Sequence, residues 1–432
     1  MGRPRKNPHA APTVLPKKIG QLPGFFDINT STDPYWEALL KRFSKTARVY
    51  GFSRVETPLL EDSRLFQAYY GNPDVPLDSL LSFEHGALAL GLRPSQLPGI
   101  LRNFHQQKLH ENPNIYKWHY SGFVASKDLD GRLLPDFEYG CEILGSFNHL
   151  NEAQVIASAW EFLNSLGLED LVLEINNLGS LECQENYSRA LVDALSPKKY
   201  ELCDECNEKL ATKALLVFAC QNLDCQSVLA EAPTVLDFLD QDSHKGFTSV
   251  LEALDEMNIP YQLNAFYVGK SVCERTNFTV KYKNKDQMLS LAQGGHHLSQ
   301  AQNISGKQFG AFGFYGSMNR LKNLMEENSI EATRQVLSEV CLVPLGELAA
   351  KRSLRLFRDL TAEKIMVYDH FGLSGVKNQL KVAQENKVPI ALIMGQKEAM
   401  DEMVILRDVK SGMQEIISYD KIVDEVKKRL GK

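Results

Sequence analysis

The chain has 432 residues, of which 44% are hydrophobic and 24% are charged, and its formal net charge is -6. This length allows two or three domains, and the composition is that of an ordinary globular protein. The negative charge excludes a uniformly basic nucleic-acid-binding protein but is compatible with a local basic patch. No stretch approaches the ~18 consecutive apolar residues of a membrane span, and the first residues lack an apolar signal segment. We therefore expect a cytoplasmic protein.

Residues 1–18 are rich in proline and in basic side chains. This composition predicts a disordered tail, because the segment offers little apolar surface to bury. The run "GRPRK" places three cations in an extended frame. A contact of this arm with nucleic acid is therefore kept as an alternative.

Apolar residues recur at helical spacing from Trp36 to Ala47 and predict a first helix that ends at Gly51. "SRVETPLLE" is then a predicted strand, in which Pro58 interrupts the hydrogen-bond ladder and marks an edge or an interface. "LALGLRPSQLPGILRNFHQQ" predicts a strand, a turn and a helix. "NIYKWHYSGF" and "PDFEYGCEILGS" are predicted strands on either side of a polar loop that contains Gly131, which is typical of a hairpin.

An amphipathic helix, "EAQVIASAWEFLNSLG", and a buried strand, "LVLEINNLG", follow the hairpin. Residues 180–260 are predicted to form a helical insertion, after which "NAFYVGKSVCERTNFTVKYK" and "KQFGAFGFYGSMNRLKNLM" return to strand. A helix is expected to start after Gly316. From residue 335 onward predicted strands alternate with predicted helices, which indicates a separate α/β domain of roughly a hundred residues.

Four cysteines of the insertion follow the pattern C-x2-C, thirteen residues, then C-x4-C. In a reducing cytoplasm such a cluster favours a metal site over disulfides, and four thiolates complete a closed tetrahedral zinc shell. The predicted ligands are Cys203, Cys206, Cys220 and Cys225. The x4 spacing leaves the participation of Cys225 open. The alternative is a set of ordinary thiols in a small helical insert.

Four segments occur in one order along the chain: "GFSRVETPLLED", "LALGLRPSQLPG", "YSGF…FEYGCEILGS" and "FGAFGFYGSMNRL". An α/β domain follows them. In these segments, in "EINNLGS" and in "LSGVKNQLKVAQENKVPIALIMG", the chain resembles a class II aminoacyl-tRNA synthetase, specifically the histidyl-tRNA synthetase family. The resemblance covers nearly the whole chain after the tail.

The resemblance implies an α+β fold. A class II antiparallel sheet with flanking helices is expected over residues 19–330, with the insertion at 180–260, and an anticodon-binding-like α/β domain over 335–432. It also implies a homodimer with Pro58 near the interface, a tRNA partner, and ATP with Mg²⁺ as cofactors of an active enzyme.

For the nucleotide, the resemblance places Arg320 of "SMNRL" at the γ-phosphate. It also assigns Arg93 and Asp128 to the nucleotide site and leaves Lys127 as a cation near the α-phosphate. Planar guanidinium groups suit the charge that develops on phosphate oxygens better than an ammonium group does. The alternatives are a surface role for Arg320 and a pairing of Arg93 with Glu142.

For the amino acid, the resemblance points to two carboxylates on one strand and to a glycine pair on another: Glu138, Glu142, Gly294 and Gly295. Glu138 stands where the family has glutamine, and His296 stands where the family has arginine after the glycine pair. Residues four apart on a strand share a face. Because adjacent residues point to opposite faces, His296 and His297 are not expected to bind one metal ion together.

Three departures from the family pattern stand out. The family's Phe-Arg-x-Glu after the first hairpin strand aligns with Ala125–Asp128 in a shorter loop. Its Arg-Pro-Glu-Gly-Thr corresponds to residues 93–97, "RPSQL". Its Arg-Gly-Leu-Asp-Tyr-Tyr corresponds to "GKSVCERTNFTVKY", with the arginine near Ser271 and the tyrosines near Arg275 and Thr276.

Two activating arginines and one carboxylate are thus replaced together. Loss of a single transition-state donor costs about 10²–10³ in rate. We therefore expect a paralogue with weak or no aminoacylation that acts through tRNA or a protein partner. One alternative is a divergent working ligase in which Lys127 and His296 replace arginines. The other is a regulatory subunit of histidine biosynthesis, a relative that lacks the C-terminal domain.

Overall fold

The computed structural model describes residues 20–29, 33–71, 79–128, 130–269, 274–284, 287–330, 338–369 and 375–432. The tail at 1–18 and the position near Ser271 lie outside these residues. The chain divides into two compact units, Met1–Glu331 and Ala332–Lys432. In the part of the chain that is described, no helix is long and apolar enough to span a bilayer.

The described part of the first unit has eleven strands. They are β1 Ser53–Arg54, β2 Leu60–Asp62, β3 Ser82–His85, β4 Leu88–Leu92, β5 Ile115–Lys127, β6 Leu133–Gly145, β7 Leu171–Asn177, β8 Gln262–Leu263, β9 Thr276–Asn284, β10 Gln287–His296 and β11 Gly310–Ser317. Among the described residues they form one sheet in the order β1-β5-β6-β11-β10-β9-β7-β8 and another in the order β2-β4-β3. The large sheet is antiparallel from β5 to β7, and only its short edge strands β1 and β8 pair in parallel.

Ten α-helices lie in the described part of the same unit. They are α1 Pro34–Val49, α2 Ser63–Tyr70, α3 Leu97–Gln106, α4 His149–Asn164, α5 Leu181–Leu195, α6 Asp204–Thr212, α7 Leu223–Leu229, α8 Gln241–Glu256, α9 Leu298–Ser305 and α10 Met318–Glu327. α1 begins where the side chain of Asp33 accepts the Tyr35 N–H. Its buried residues are Trp36, Leu39, Phe43 and Ala47, which confirms the face predicted from the spacing.

The large sheet has a different apolar layer on each face. Tyr139, Cys141 and Ile143 of β6 belong to the core that contains α1, α4 and α10. Tyr120 of β5 and Leu144 of β6 belong to a second cluster that contains α3 and α9. The two glutamates of β6 therefore lie on the face toward α3 and α9, since side chains alternate along a strand.

Two strand predictions were wrong in detail. "SRVETPLLE" is not one strand but two, β1 and β2, which join different sheets on either side of Pro58. β5 extends to Lys127, because Val124–Lys127 pair with residues 133–136 of β6. Those four residues, predicted at the junction with the loop, therefore belong to the strand, and the connection spans only 128–132.

The insertion contains α5 to α8 and short 3₁₀ turns, so it is helical as predicted. It has an apolar cluster of its own, with Tyr187, Leu191, Leu210 and Val217 among the buried members. Three of the four predicted metal ligands lie within this cluster. The cysteines are thus part of the packing that holds the insertion together.

The second unit has one mixed sheet in its described residues. Its strands are β12 Val340–Pro344, β13 Val367–Asp369, β14 Ile390–Met394, β15 Met403–Asp408 and β16 Gln414–Ser418, in the order β13-β12-β14-β15-β16. Its helices are α11 Glu347–Ala362, α12 Val376–Glu385, α13 Gln396–Met400 and α14 Ile422–Leu430. The sheet is parallel across β13, β12 and β14 and antiparallel beyond. The sequence analysis missed α13 and β16, which are only five residues long.

Candidate functional site

Arg93 follows β4 and is turned into the protein. Its Nε donates to the carbonyl oxygen of Phe123 at 2.9 Å, and its Nη1 donates to that of Thr57 at 2.6 Å. A Cβ on Gly122 would lie 2.6 Å from the guanidinium, so a larger residue there would displace the Arg93 side chain. The partners of Arg93 are thus backbone carbonyls, and the alternative of a pair with Glu142 was wrong.

Glu138 is held by the turn that precedes α3. Its Oε1 accepts the Gln96 N–H at 2.8 Å and the Ser95 hydroxyl at 3.2 Å. Only 6% of Glu138 is exposed. Burial raises the pKa of this carboxyl to about 7, although the two hydrogen bonds oppose the rise. Ser95 and Gln96, which replace the family's glutamate and glycine, therefore bind a protein side chain.

Glu142 is completely buried and lies four residues further along β6, on the same face as Glu138. Its Oε1 accepts the Tyr120 hydroxyl at 3.4 Å, and its Oε2 lies 3.9 Å from Nε2 of His297. Burial, reinforced by Glu138, raises the pKa of Glu142 well above its ordinary value. Burial and the neighbouring His296 lower the pKa of His297 to about 3. His297 is therefore neutral at neutral pH, and burial disfavours the ionised form of Glu142.

The glycine pair lies in β10, separated from β6 by β11. A Cβ on Gly294 would lie 2.1 Å from the carbonyl oxygen of Gly313, and one on Gly295 would lie 3.0 Å from Cβ of Asn277. Gly295 is paired directly with Gly313 of β11. A Cβ on Gly313 would lie 2.0 Å from Oε2 of Glu142. The close approach of the strands thus requires small residues here, whether or not an amino acid binds.

The predicted nucleotide-binding residues of the hairpin lie at its tip. Lys127 ends β5, and Asp128 makes the turn. The Asp128 carboxylate accepts the Arg132 N–H at 2.8 Å, and its own N–H donates to the Arg132 carbonyl at 3.0 Å. The hydrogen bonds of the turn are thus sufficient to account for an aspartate at position 128.

Arg320 lies in the first turn of α10 and is exposed. Its N–H donates to the Ser317 hydroxyl oxygen at 3.2 Å, and Ser317 donates to Asp136 at 2.7 Å. The guanidinium Nη1 donates to the Ser290 carbonyl at 2.5 Å. The structure therefore brings Glu138 to the turn that follows Arg93, with Glu142 on the same face of β6. Arg320 is tied to β10.

A cluster that the sequence analysis missed lies at the start of α4. Nδ1 of His149 is 3.0 Å from Oε1 of Glu152, and Nε2 of His296 is 3.3 Å from the same oxygen. Burial alone would raise the pKa of Glu152, but the bonds from His149 and His296 lower it to about 2. These residues line a cleft of about 410 Å³ together with Arg275. The available signal was the Asn148 cap followed by His149 and Glu152 at i, i+3.

His296 and His297 contact different carboxylates, as their alternation predicted. His296 faces Glu152, whereas His297 faces Glu142. The four cysteines of the insertion, in contrast, converge. One sulfur from each of Cys203, Cys206, Cys220 and Cys225 lies within 4.8 Å of the others, so these residues have the arrangement of a metal site.

The Glu138→Gln substitution tests the buried carboxyl and also restores the residue that the family has. Because the folded-state pKa is about 7 against an ordinary 4.5, the group favours folding most below pH 4.5, and this benefit is lost as the pH rises through 7. The loss corresponds to about 3 kcal/mol. Urea unfolding should show the variant more stable than wild type by up to about 3 kcal/mol at pH 8 and about equal to it at pH 4.5.

The control for this experiment is Glu56→Gln, which changes an exposed glutamate paired with Arg54. It should leave the pH dependence of unfolding as in wild type. An equal loss of stability at both pH values in Glu138→Gln would show that the ionised carboxylate is needed by Gln96 and Ser95.

Comparison with known proteins agrees with the fold and the domain order. Residues 24–321 match the family model described as histidyl-tRNA synthetase, and residues 339–429 match the model described as anticodon binding domain. The antiparallel sheet with flanking helices and the second unit define a class II aminoacyl-tRNA synthetase fold. The chain belongs to the histidyl-tRNA synthetase family.

The chain is similar to curated relatives over almost its full length. A histidine–tRNA ligase of Dehalococcoides mccartyi strain CBDB1 is 28% identical over 94% of this chain and 99% of its own. One from Caldicellulosiruptor bescii is 26% identical over 96% of this chain and 100% of its own.

Among solved structures, apo S. aureus histidyl-tRNA synthetase matches with a TM-score of 0.78 at 23% identity, over 95% of this chain and 100% of that one. A Bacillus halodurans C structure described as an ATP phosphoribosyltransferase regulatory subunit/histidyl-tRNA synthetase matches with a TM-score of 0.61 at 15% identity. That match covers 88% of this chain and 99% of the other. At these identities the structural matches show the fold alone.

Proposed function

We propose that this chain is a histidyl-tRNA-synthetase-like protein with weak or no histidine activation that acts through tRNA binding. One observation supports the loss of activation above all. Polar groups expected to bind substrates are bonded to the protein itself: Glu138 of the amino-acid site to Ser95 and Gln96, and Arg93 of the nucleotide site to backbone carbonyls. Burial raises the pKa of Glu142 well above its ordinary value, which disfavours the fixed charge that an ammonium group needs. An unpaired buried ammonium costs roughly 2–5 kcal/mol of binding.

The residues present do not fit the contacts that the family makes with ATP. Lys127 is a point charge that cannot make the two parallel hydrogen bonds of a guanidinium. Asp128 is engaged in the hairpin turn, and Arg320 is bonded to the Ser290 carbonyl. This arrangement supports a degenerate nucleotide site.

The match of residues 339–429 to the anticodon-binding model supports tRNA as the partner. α12 carries exposed lysines at positions 377 and 381, and a third exposed lysine, at position 387, lies two residues after its end. A helix face with spaced cations suits a phosphate backbone. We propose that this face contacts the anticodon stem.

Replacing Lys377, Lys381 and Lys387 by glutamine should weaken tRNA binding by the full chain at least about tenfold. It should also lower the slope of log K against log salt by about 2, because each lost phosphate contact removes about 0.7–0.9 from that slope. Filter binding at several salt concentrations measures both quantities. Glutamine at Lys351, Lys397 and Lys428, which are also exposed in this unit, is the matched control. Equal losses in the two variants would indicate binding by overall charge and would reject α12 as the contact.

Assembly as a homodimer is part of the same proposal. The small sheet of β2, β3 and β4 leaves large apolar side chains exposed, namely Leu60, Phe83 and Leu88, and Leu59 just before it is exposed as well. Contiguous exposed apolar surface marks an interaction site. This surface follows Pro58, which the family resemblance places near the interface. It supports a second copy of the chain as its partner.

A second candidate function is that of a divergent histidine–tRNA ligase. The observation in its favour is that the curated relatives align over 94–96% of this chain and bear that name. In that case Lys127 and His296 would replace arginines. A regulatory role with a protein partner is a further candidate, favoured only by the description of the Bacillus halodurans C structure. Histidine-dependent pyrophosphate exchange distinguishes the divergent ligase from the proposed function.

A further inference from the structure

The four cysteines of the insertion come from three different local structures. Cys203 is the N-cap residue of α6, and Cys206 lies in the first turn of that helix. Cys220 follows the 3₁₀ turn Ala214–Ala219, and Cys225 lies in α7. All four are free cysteines, and their sulfurs lie within 4.8 Å of one another. The chain therefore folds back twice to bring these thiols to one point.

The spacing of the sulfurs is that of ligands to one metal ion. Sγ of Cys203 and Sγ of Cys220 are 3.9 Å apart. A disulfide requires about 2.05 Å. Two thiolates at the ~2.3 Å zinc–sulfur distance and a tetrahedral angle are about 3.8 Å apart. The observed separation agrees with the metal geometry and excludes a disulfide between these two cysteines in this conformation.

Backbone N–H groups are directed at the sulfurs. The Cys203 N–H donates to Sγ of Cys225 at 3.2 Å, and the Asn222 N–H donates to Sγ of Cys220 at 3.4 Å. Donors in these positions stabilise thiolates, which are the form that binds metal. Cys225 receives one of these bonds and is 1% exposed. It is thus a full member of the cluster in spite of the x4 spacing.

We propose that Cys203, Cys206, Cys220 and Cys225 hold one structural zinc ion that closes the insertion. Four thiolates in tetrahedral arrangement select zinc or iron among the common metals. They also fill the coordination shell, so the ion has no position for a substrate. It links α6 to α7 within the apolar cluster that contains Cys206, Cys220 and Cys225. This proposal is independent of whether the protein activates histidine.

The first test is the metal content of the full chain, purified without chelator and measured by inductively coupled plasma mass spectrometry. One zinc per chain is expected in wild type. Cys206→Ser and Cys225→Ser should each lose most of that zinc. Cys183→Ser is the matched control, since Cys183 is a buried cysteine of the same insertion whose Sγ contacts Asp240 at 3.0 Å instead. That variant should keep its zinc. One iron per chain, or equal zinc loss in all three variants, would overturn the assignment.

A second measurement on wild type does not depend on the folding of any variant. Replacement of the metal by Co²⁺ should give the absorption bands of a tetrahedral cobalt–thiolate site. Removal of the metal with a chelator should open residues 196–232 to protease while the second unit stays resistant. A metal-free chain with four titratable thiols and unchanged protease resistance would show that these cysteines are ordinary packed thiols.

Discussion

Histidine-dependent exchange of pyrophosphate into ATP by the purified chain is expected to be at least about 10³-fold slower than by a synthetase that carries the family's arginines. Each transition-state donor contributes about 10²–10³ in rate, and the combined loss is less than additive. The geometry adds a second cause. Glu138 is already occupied by Gln96 and Ser95, and burial raises the pKa of Glu142 well above its ordinary value. An incoming histidine would therefore have to compete with the protein's own hydrogen bonds.

The control for this experiment is Arg320→Ala. Residual exchange that disappears in this variant belongs to the chain and would show that Arg320 contacts the nucleotide. Exchange that survives is compared with a mock purification from the same host, which measures any contaminating host synthetase. The assay requires protein that gives a single cooperative unfolding transition, so that inactivity is not misfolding. Exchange at an ordinary synthetase rate would reject the proposed function and favour the divergent ligase. Lys127→Ala and His296→Ala would then show which residue replaces the missing arginines.

The Gly294→Ala substitution is expected to destabilise the first unit by about 3 kcal/mol or more, because a buried contact is overpacked against backbone. The new Cβ would lie 2.1 Å from the Gly313 carbonyl oxygen, 2.8 Å from Cβ of Phe314 and 2.9 Å from the Phe278 ring. A carbonyl in the central ladder cannot move aside without breaking the pairing of β10 with β11. Urea unfolding followed by circular dichroism measures the cost.

The adjacent glycine provides the matched control. A Cβ on Gly295 would have no contact closer than 3.0 Å, so Gly295→Ala should cost about 1–2 kcal/mol. A larger loss of stability in Gly294→Ala would show that the packing of the sheet is a sufficient reason for the glycine pair. Equal losses at both positions would mean that the strands separate easily, and the packing explanation would then fail.

The His149–Glu152–His296 cluster connects the core to the insertion. A Cβ on Gly246 of α8 would lie 2.4 Å from the His149 ring, so α8 packs directly against the start of α4. His296 stands at the place of a family arginine and still faces a carboxylate. A neutral or singly protonated imidazole there makes a weaker pair with Glu152 than a guanidinium would.

The sequence by itself determined those features that depend on short spacings. The helical repeat from Trp36 to Ala47 defined the buried face of α1. The four-residue separation placed Glu138 and Glu142 on one face of β6. Because His296 and His297 are adjacent, their side chains point to opposite faces, and they lie near different carboxylates. The class II fold could be predicted from the sequence because long periodic segments and their order are retained when sequences diverge. The cysteine spacing likewise indicated one cluster before any sulfur was located.

Only the tertiary structure decided which long-range partners satisfy the polar groups. Gln96 and Ser95 bind Glu138 from 42 and 43 residues away, and Arg93 binds the Phe123 carbonyl 30 residues away. Such contacts have no period in the sequence, because they depend on how a turn is laid against a strand. The same holds for β1 and β2, which are too short to carry a pattern and were assigned to two sheets by packing alone. Burial, in turn, set the pKa of Glu138 to about 7, and burial is a property of the assembled layers rather than of any segment.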